Sequence, residues 1–270
     1  PIQPVLKMTD DLDHIQENVP YKELIPFAES IHSDRMLREN NEKMRQEFTA
    51  NVSHELKTPL TSISGYAELI ETGIAKPADT PGFARKIHVE ASRMIQLVND
   101  ILQLSHLDNV SETGAAPAME TVDLLDVARE CVERQKVNAR HSYISLTYLG
   151  ESAPVAGSRS LLDEAVPEPL HNAIRYNRPG GKVQIITACT RDGHCTLTVK
   201  DNGIGIPKEA QTSVFERFYR VDKSRSKATG GTGLGLAIVK HIARIHNARI
   251  KLDSVVDEGT TITVIFETAS

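Results

Sequence analysis

The chain has 270 residues and a formal charge of −5, which suits one large domain or two ordinary ones. With 40% apolar and 25% charged residues it reads as a folded globular protein rather than a disordered one, and its mild acidity argues against general nucleic-acid binding. Cys131, Cys189 and Cys195 stand at unrelated spacings, which excludes a zinc cluster or a disulfide framework and predicts three reduced thiols.

Pro1, Pro4, Pro20 and Pro26 break the first stretch into short pieces, so no long helix is expected before about Phe27. Charged helix formers then dominate Arg35–Glu47, and apolar residues recur at Phe48, Val52, Leu56, Leu60, Ile63, Ala67 and Ile70. That stripe predicts one helix from Leu37 to Thr72, about 54 Å long. Gly73–Gly82 reads as a loop. A second stripe follows at Phe83, Ile87, Ala91, Met94, Leu97, Ile101 and Leu104. Two such helices form an antiparallel hairpin with an open apolar face, and dimerisation into a four-helix bundle covers it.

Ser111–Ala118 is a small-residue linker and marks a boundary. The expected organisation is a linker and signalling helix over 1–47, a helical hairpin over 48–112 and a second domain over 113–270. In that second domain helical spacing covers Leu124–Val137 and Ser160–Tyr176, and a strand-like run covers Ile144–Leu149. Strands at Val183–Cys189 and Cys195–Lys200 flank a turn at Arg191–His194, a helix fits Leu234–His246, and a hairpin fits Arg249–Val255 and Thr261–Phe266. The fold class is α+β: the hairpin, then an α/β sandwich with helices on one face of a mixed sheet. No apolar run approaches the roughly 18 residues that cross a bilayer, and residues 1–20 carry no signal peptide. The chain starts at Pro1 and is expected to be a fragment.

Four segments carry chemistry. His54 lies mid-helix and off the apolar stripe, so it should face solvent as a nucleophilic neutral imidazole. Glu55 is placed to orient the ring or take its Nδ1 proton. Thr58 is one turn on, and Pro59 removes a helix bond there. Next, Asp201-Asn-Gly203-Ile-Gly205 follows a strand. Its glycines let backbone approach a ligand, and its carboxylate suits an exocyclic amine such as that of adenine. The third, Thr229–Leu236, is a glycine-rich loop with Gly231, Gly233, Leu234 and Gly235, opening a helix whose N-terminus favours phosphate. It is neither a P-loop nor a dinucleotide fingerprint. Before it, Phe215 and Phe218 lead into a basic stretch ending at Lys227, read as a lid over a charged ligand. In the fourth, Asn172 offers a neutral oxygen to Mg²⁺ beside a triphosphate, Arg175 can reach phosphate, and Tyr176 can pack on a base.

Together these residues resemble the sensor histidine kinases of two-component systems. His54, Glu55, Thr58 and Pro59 are similar to the H box of the HisKA-type dimerisation and phosphotransfer domain. Asn172 matches the N box; Asp201, Gly203 and Gly205 the first glycine box; Phe215 and Phe218 the F box; Gly231, Gly233 and Gly235 the second. Gly259 and Thr260 resemble the turn that closes the ATP domain. The resemblance covers about residues 30–270. It implies a Bergerat-type ATP-binding fold, Mg²⁺ and ATP, autophosphorylation of His54, transfer to an Asp of a response regulator receiver domain, and a homodimer. It also implies a general-base role for Glu55 and, for Thr58, the positioning of water in regulator dephosphorylation. The location implied is the cytoplasmic portion of an inner-membrane sensor, reaching the membrane only through segments absent from this chain.

One segment departs from the family pattern. Glu168 and Pro169 stand where the family has Asn and an apolar residue, and Pro167 adds a second proline. Each interior proline costs a helix about 3 kcal/mol. The expectation is a broken helix and weakened Mg-ATP binding. An alternative function is therefore a signalling scaffold with impaired ATP use. A Bergerat ATPase of the gyrase or chaperone kind would lack the His54 box.

Overall fold

The computed structural model describes residues 25–113, 117–222 and 231–268, except for the side chains at 25, 28, 40, 41 and 111–113. The expectations for the first 24 residues, for part of the 111–118 linker, for the basic stretch up to Lys227 and for Thr229 and Gly230 lie outside them.

The chain divides into two compact units, Pro1–Ser64 and Gly65–Ser270. The first is carried by helix α1 (Ile25–Glu71), which runs unbroken through Pro59 into the second. A turn then leads to helix α2 (Thr80–Thr113). At the start of α2, Tyr66 and Phe83 stack with ring centroids 5.4 Å apart, and Lys86 lies over both rings. Helix α2 has two apolar faces. Leu97, Leu104 and Leu107 are buried, whereas Ile95, Val98 and Leu102 are exposed. Among the described residues no helix is long and apolar enough to cross a membrane.

Strand β1 (Glu120–Asp123) leads directly into α3 (Leu124–His141). Asp123 caps α3 by accepting from Leu125 N–H, and the same Oδ1 accepts from Ala153 N–H. Strands β2 (Ser145–Gly150) and β3 (Pro154–Gly157) follow, then helices α4 (Arg159–Ala165) and α5 (Pro167–Arg175). Strands β4 (Lys182–Cys189) and β5 (His194–Asp201), a short 3-10 turn at Lys208–Ala210, helix α6 (Gly235–Ile245), and strands β6 (Arg249–Val255) and β7 (Gly259–Glu267) complete the order. The main sheet runs β2-β4-β5-β7-β6; β2 is parallel to β4 and every other pair is antiparallel. It is the expected mixed sheet. Strands β1 and β3 form a separate antiparallel pair that the sequence pattern had not suggested.

Strands β4 and β5 alternate in burial, so Val183, Ile185, Leu197 and Val199 face one way. Helices α3, α5 and α6 cover that face with Val127, Val132, Leu170, Val239 and Ala243. At about 25 cal/mol per Å² of apolar surface, such a shared core is the main term holding sheet and helices together.

One expectation needs correction. Cys189 and Cys195 are cross-strand partners at the mouth of the β4–β5 hairpin and are joined by a disulfide. Only Cys131 is free, and burial pushes its thiol up to about 12. The helical stretch over Ser160–Tyr176 is broken into two helices at the prolines, as expected, although the residue before Pro167 stays at helical angles. Val166 keeps φ −66° and ψ −36°, ending α4 and opening α5. Pro167 then stands in the first turn of α5, where backbone N–H groups have no partner in the helix.

Candidate nucleotide and phosphotransfer site

The end of β5 builds the first part. Asp201 Oδ1 accepts from Gly203 N–H (2.7 Å) and Thr260 N–H (3.2 Å), while Oδ2 makes no protein hydrogen bond among the described residues. Burial holds this carboxyl above its ordinary value, and the two N–H groups partly offset that. The glycines are sterically required here. Gly205 has φ +68°, and a Cβ on it would fall 2.0 Å from the Val255 carbonyl oxygen. A Cβ on Gly259 would fall 2.1 Å from that of Asp201. Only Gly allows both the close approach and the positive φ.

The aromatic segment meets the second glycine loop. Phe218 has φ +62°, and its N–H donates to the Gly233 carbonyl (2.8 Å). Gly233 has φ +76° and packs on the Phe218 backbone. Phe215 is half-buried nearby in sequence. Gly231 faces Arg175 Nη1 and Tyr176 Oη, where a Cβ would come within 3.2 Å and 3.4 Å. Tyr176 also accepts from Ile204 N–H through its carbonyl (3.1 Å), so it joins both glycine segments. Leu234 is fully buried and precedes α6, whose first turn has no side-chain cap.

Helix α5 supplies the rest. Glu168, Asn172 and Arg175 follow one another on one face. The Asn172 amide is half-buried and makes no side-chain hydrogen bond among the described residues. The Glu168 carboxylate lies against Gly235, where a Cβ would come 1.9 Å from Oε2. Burial and the neighbouring Asp100 push this carboxyl up to about 7, with Arg175 acting in the other direction.

The structure also adds residues that the motifs had not singled out. Asp100 on α2 is buried and accepts from Thr232 Oγ1 (2.6 Å) and Gln96 Nε2 (2.7 Å). Burial nonetheless keeps its carboxyl above the ordinary range. Asp108 on α2 accepts from Arg217 Nη2 (2.6 Å), which also meets His241 Nε2 at 3.0 Å. The available signal was an Asp set among Leu97, Ile101 and Leu104 on an apolar stripe. Helix α2 thus touches the glycine loop directly.

In the other unit His54 is exposed on α1 and Glu55 is half-buried. Thr58 Oγ1 donates to the His54 carbonyl (3.3 Å), leaving its lone pairs to accept.

Comparison with known proteins decides the family. Residues 44–110 match the His Kinase A (phospho-acceptor) domain, and residues 157–270 match the histidine kinase-, DNA gyrase B- and HSP90-like ATPase family. The chain is 41% identical over 242 residues to the sensor-like histidine kinase SenX3 of Mycolicibacterium smegmatis, covering 88% of this chain and 61% of that protein.

The chain belongs to the sensor histidine kinases.

It is also 40% identical over 223 residues to the sensor protein kinase WalK of Staphylococcus saprophyticus, covering 82% of this chain and 36% of WalK. It therefore spans less than two thirds of the length of each of these relatives, 61% of SenX3 and 36% of WalK. In fold it is similar to the histidine kinase ThkA solved in complex with the response regulator TrrA. That match has a TM-score of 0.67 and 21% identity, covering 93% of this chain and 68% of ThkA. Acinetobacter baumannii AdeS matches with a TM-score of 0.62 and 23% identity, covering 80% of this chain and 98% of AdeS. A sensor histidine kinase uses ATP, and the ATPase match covers Gly203, Gly205, Gly231, Gly233, Gly235 and Gly259.

Proposed function

We propose that the chain autophosphorylates His54 from ATP and passes the phosphoryl group to an Asp of a response regulator. The observation that carries the reading is the joining of both matched regions in one chain. An exposed His54 beside a half-buried Glu55 on the phospho-acceptor helix accompanies an ATPase fold whose glycines crowd the turn around Asp201.

The roles follow from the chemistry of each group. Asp201 Oδ2 accepts from the exocyclic amine of adenine, with Gly203, Gly205 and Thr260 shaping the approach. Tyr176 packs beside it. Gly231, Gly233, Leu234 and Gly235 present the N-terminal turn of α6 to phosphate. Phe215 and Phe218 anchor the segment over the site, and Arg175 reaches a phosphate oxygen. Asn172 has the hard neutral oxygen that suits Mg²⁺, which supplies charge neutralisation of the triphosphate when bound. His54 Nε2 attacks the terminal phosphorus of ATP; a P–N bond forms, the bridging P–O bond breaks, and ADP leaves. Glu55 takes the Nδ1 proton. Thr58 accepts a hydrogen bond from the water used in regulator dephosphorylation.

ThkA was solved with a response regulator, which supports the same class of partner here. The exposed Ile95, Val98 and Leu102 of α2 support a homodimer through the helical hairpin. Sedimentation as a monomer at micromolar concentration would contradict that. Dependence on ATP supports a cytoplasmic location for this part of the protein. One observation favours the scaffold reading, the Glu168 carboxylate beside the phosphate-binding turn. The deciding experiment charges the chain with labelled ATP, removes nucleotide, and adds a receiver domain. Label moving to the receiver supports the kinase, and a chain that never takes up label leaves the scaffold.

A further inference from the structure

We infer that Glu168 is an intramolecular competitor for the nucleotide phosphates, held against the first turn of α6 until ATP displaces it. The inference rests on the proposed ATP site and assigns that site its own internal occupant.

Three observations converge on it. First, the Glu168 carboxylate packs directly on Gly235, the first residue of α6, where an added Cβ would come 1.9 Å from Oε2. This is the positive end of a helix dipole, whose first-turn N–H groups carry no side-chain cap. A carboxylate there presents the same charge and oxygen chemistry as a phosphate oxygen. Second, the carboxylate makes neither a hydrogen bond nor an ion pair among the described residues, and Arg175 acts on it only from a distance. A half-buried charge without a direct partner is held weakly and gives way to a ligand that satisfies the turn better. Third, Asp100 brings a second carboxylate to the same loop, anchored by Thr232 Oγ1 at 2.6 Å and Gln96 Nε2 at 2.7 Å. Asp100 belongs to α2, so the loop that ATP must enter is tied to that helix through Thr232.

The arrangement differs from a dead site. The glycines, Asp201 and Arg175 remain in place, and Glu168 reaches Gly235 on a flexible side chain that can swing away. Mg²⁺ reduces the repulsion between this carboxylate and the triphosphate, so the competition is strongest for metal-free nucleotide.

The test is calorimetric titration of the 270-residue chain with ATP at pH 8, once with excess EDTA and once with excess Mg²⁺. Wild type is compared with Glu168→Gln, which keeps the shape and removes the charge, and with Glu168→Ala, which removes the carboxyl altogether. Circular dichroism checks that each is folded. Both variants should bind metal-free ATP at least about tenfold more tightly than wild type, as expected for removing one nearby charge. The gap should narrow with Mg²⁺. Equal or weaker metal-free binding by the variants would overturn the competitor role while leaving the ATP site standing. Failure of all three proteins to bind ATP under either condition would overturn the site itself, and the competitor with it.

Discussion

Replacing Pro167 and Pro169 together with Ala should change stability by less than about 1 kcal/mol. On sequence grounds two prolines inside a helix cost about 6 kcal/mol if additive, so their removal would be strongly stabilising. The structure changes that arithmetic. Val166 divides the segment, and both prolines lie in the first turn of α5, where N–H groups have no helical partner. If the double variant joined α4 to α5, each new N–H would gain about 1 kcal/mol by reaching a carbonyl. Against that, each Ala lends the unfolded chain freedom costing about 0.4–1 kcal/mol. Pro169 is also buried, and trimming it forfeits about 0.8 kcal/mol per lost methylene. The terms nearly cancel. Urea denaturation of wild type and variant, read as a midpoint shift at constant m-value, measures the difference. A gain of about 3 kcal/mol or more would show that the prolines are strained where they stand and would refute this reading of α5.

Three further outcomes follow from single contacts. Gly205→Ala places a Cβ against the Val255 carbonyl at positive φ, so urea denaturation should show a loss of about 2 kcal/mol or more and ATP titration a weaker site. His246 accepts from Ser158 N–H at Nε2 and donates from Nδ1 to the Ile242 carbonyl, and burial lowers its pKa. Its contribution is complete above the unfolded value of about 6.5 and is lost as pH falls below it, because the unfolded chain then takes up the proton first. The stability gap between wild type and His246→Gln should shrink from pH 7.5 to 5.5, and a constant gap would count against the neutral ring; taking the difference removes the opposite pull of Glu168. Thr58→Ala should leave autophosphorylation intact and slow dephosphorylation of a phosphorylated regulator; an unchanged rate would remove Thr58 from that step.

Much of the fold was legible because periodicity and turn chemistry agree. The β6–β7 hairpin shows in Arg249–Val255 and Thr261–Phe266, and Asp257 and Gly259 take the positive φ values at its turn. The β1–β3 pair was not legible. Its strands are four residues each, too short for alternation to register, and their pairing spans the whole of α3. The Cys189–Cys195 bond follows from cross-strand register, which spacing alone does not give. The glycine motifs and His54 could be read directly, since their residue types have few structural substitutes. Asp100 could not, because its meaning depends on Thr232, which is distant in sequence and reached only after α2 packs beside α6. The place of Glu168 likewise depends on α5 lying next to α6.

The most direct test of the central claim is the chemistry and position of the label after incubation with ATP. Wild type should carry a phosphoryl group that acid removes and base spares, as a P–N bond requires. His54→Gln should carry none while binding ATP as wild type does. An acid-stable label, or label retained by His54→Gln at the wild-type level, would contradict the assignment of His54 as the phosphoryl acceptor.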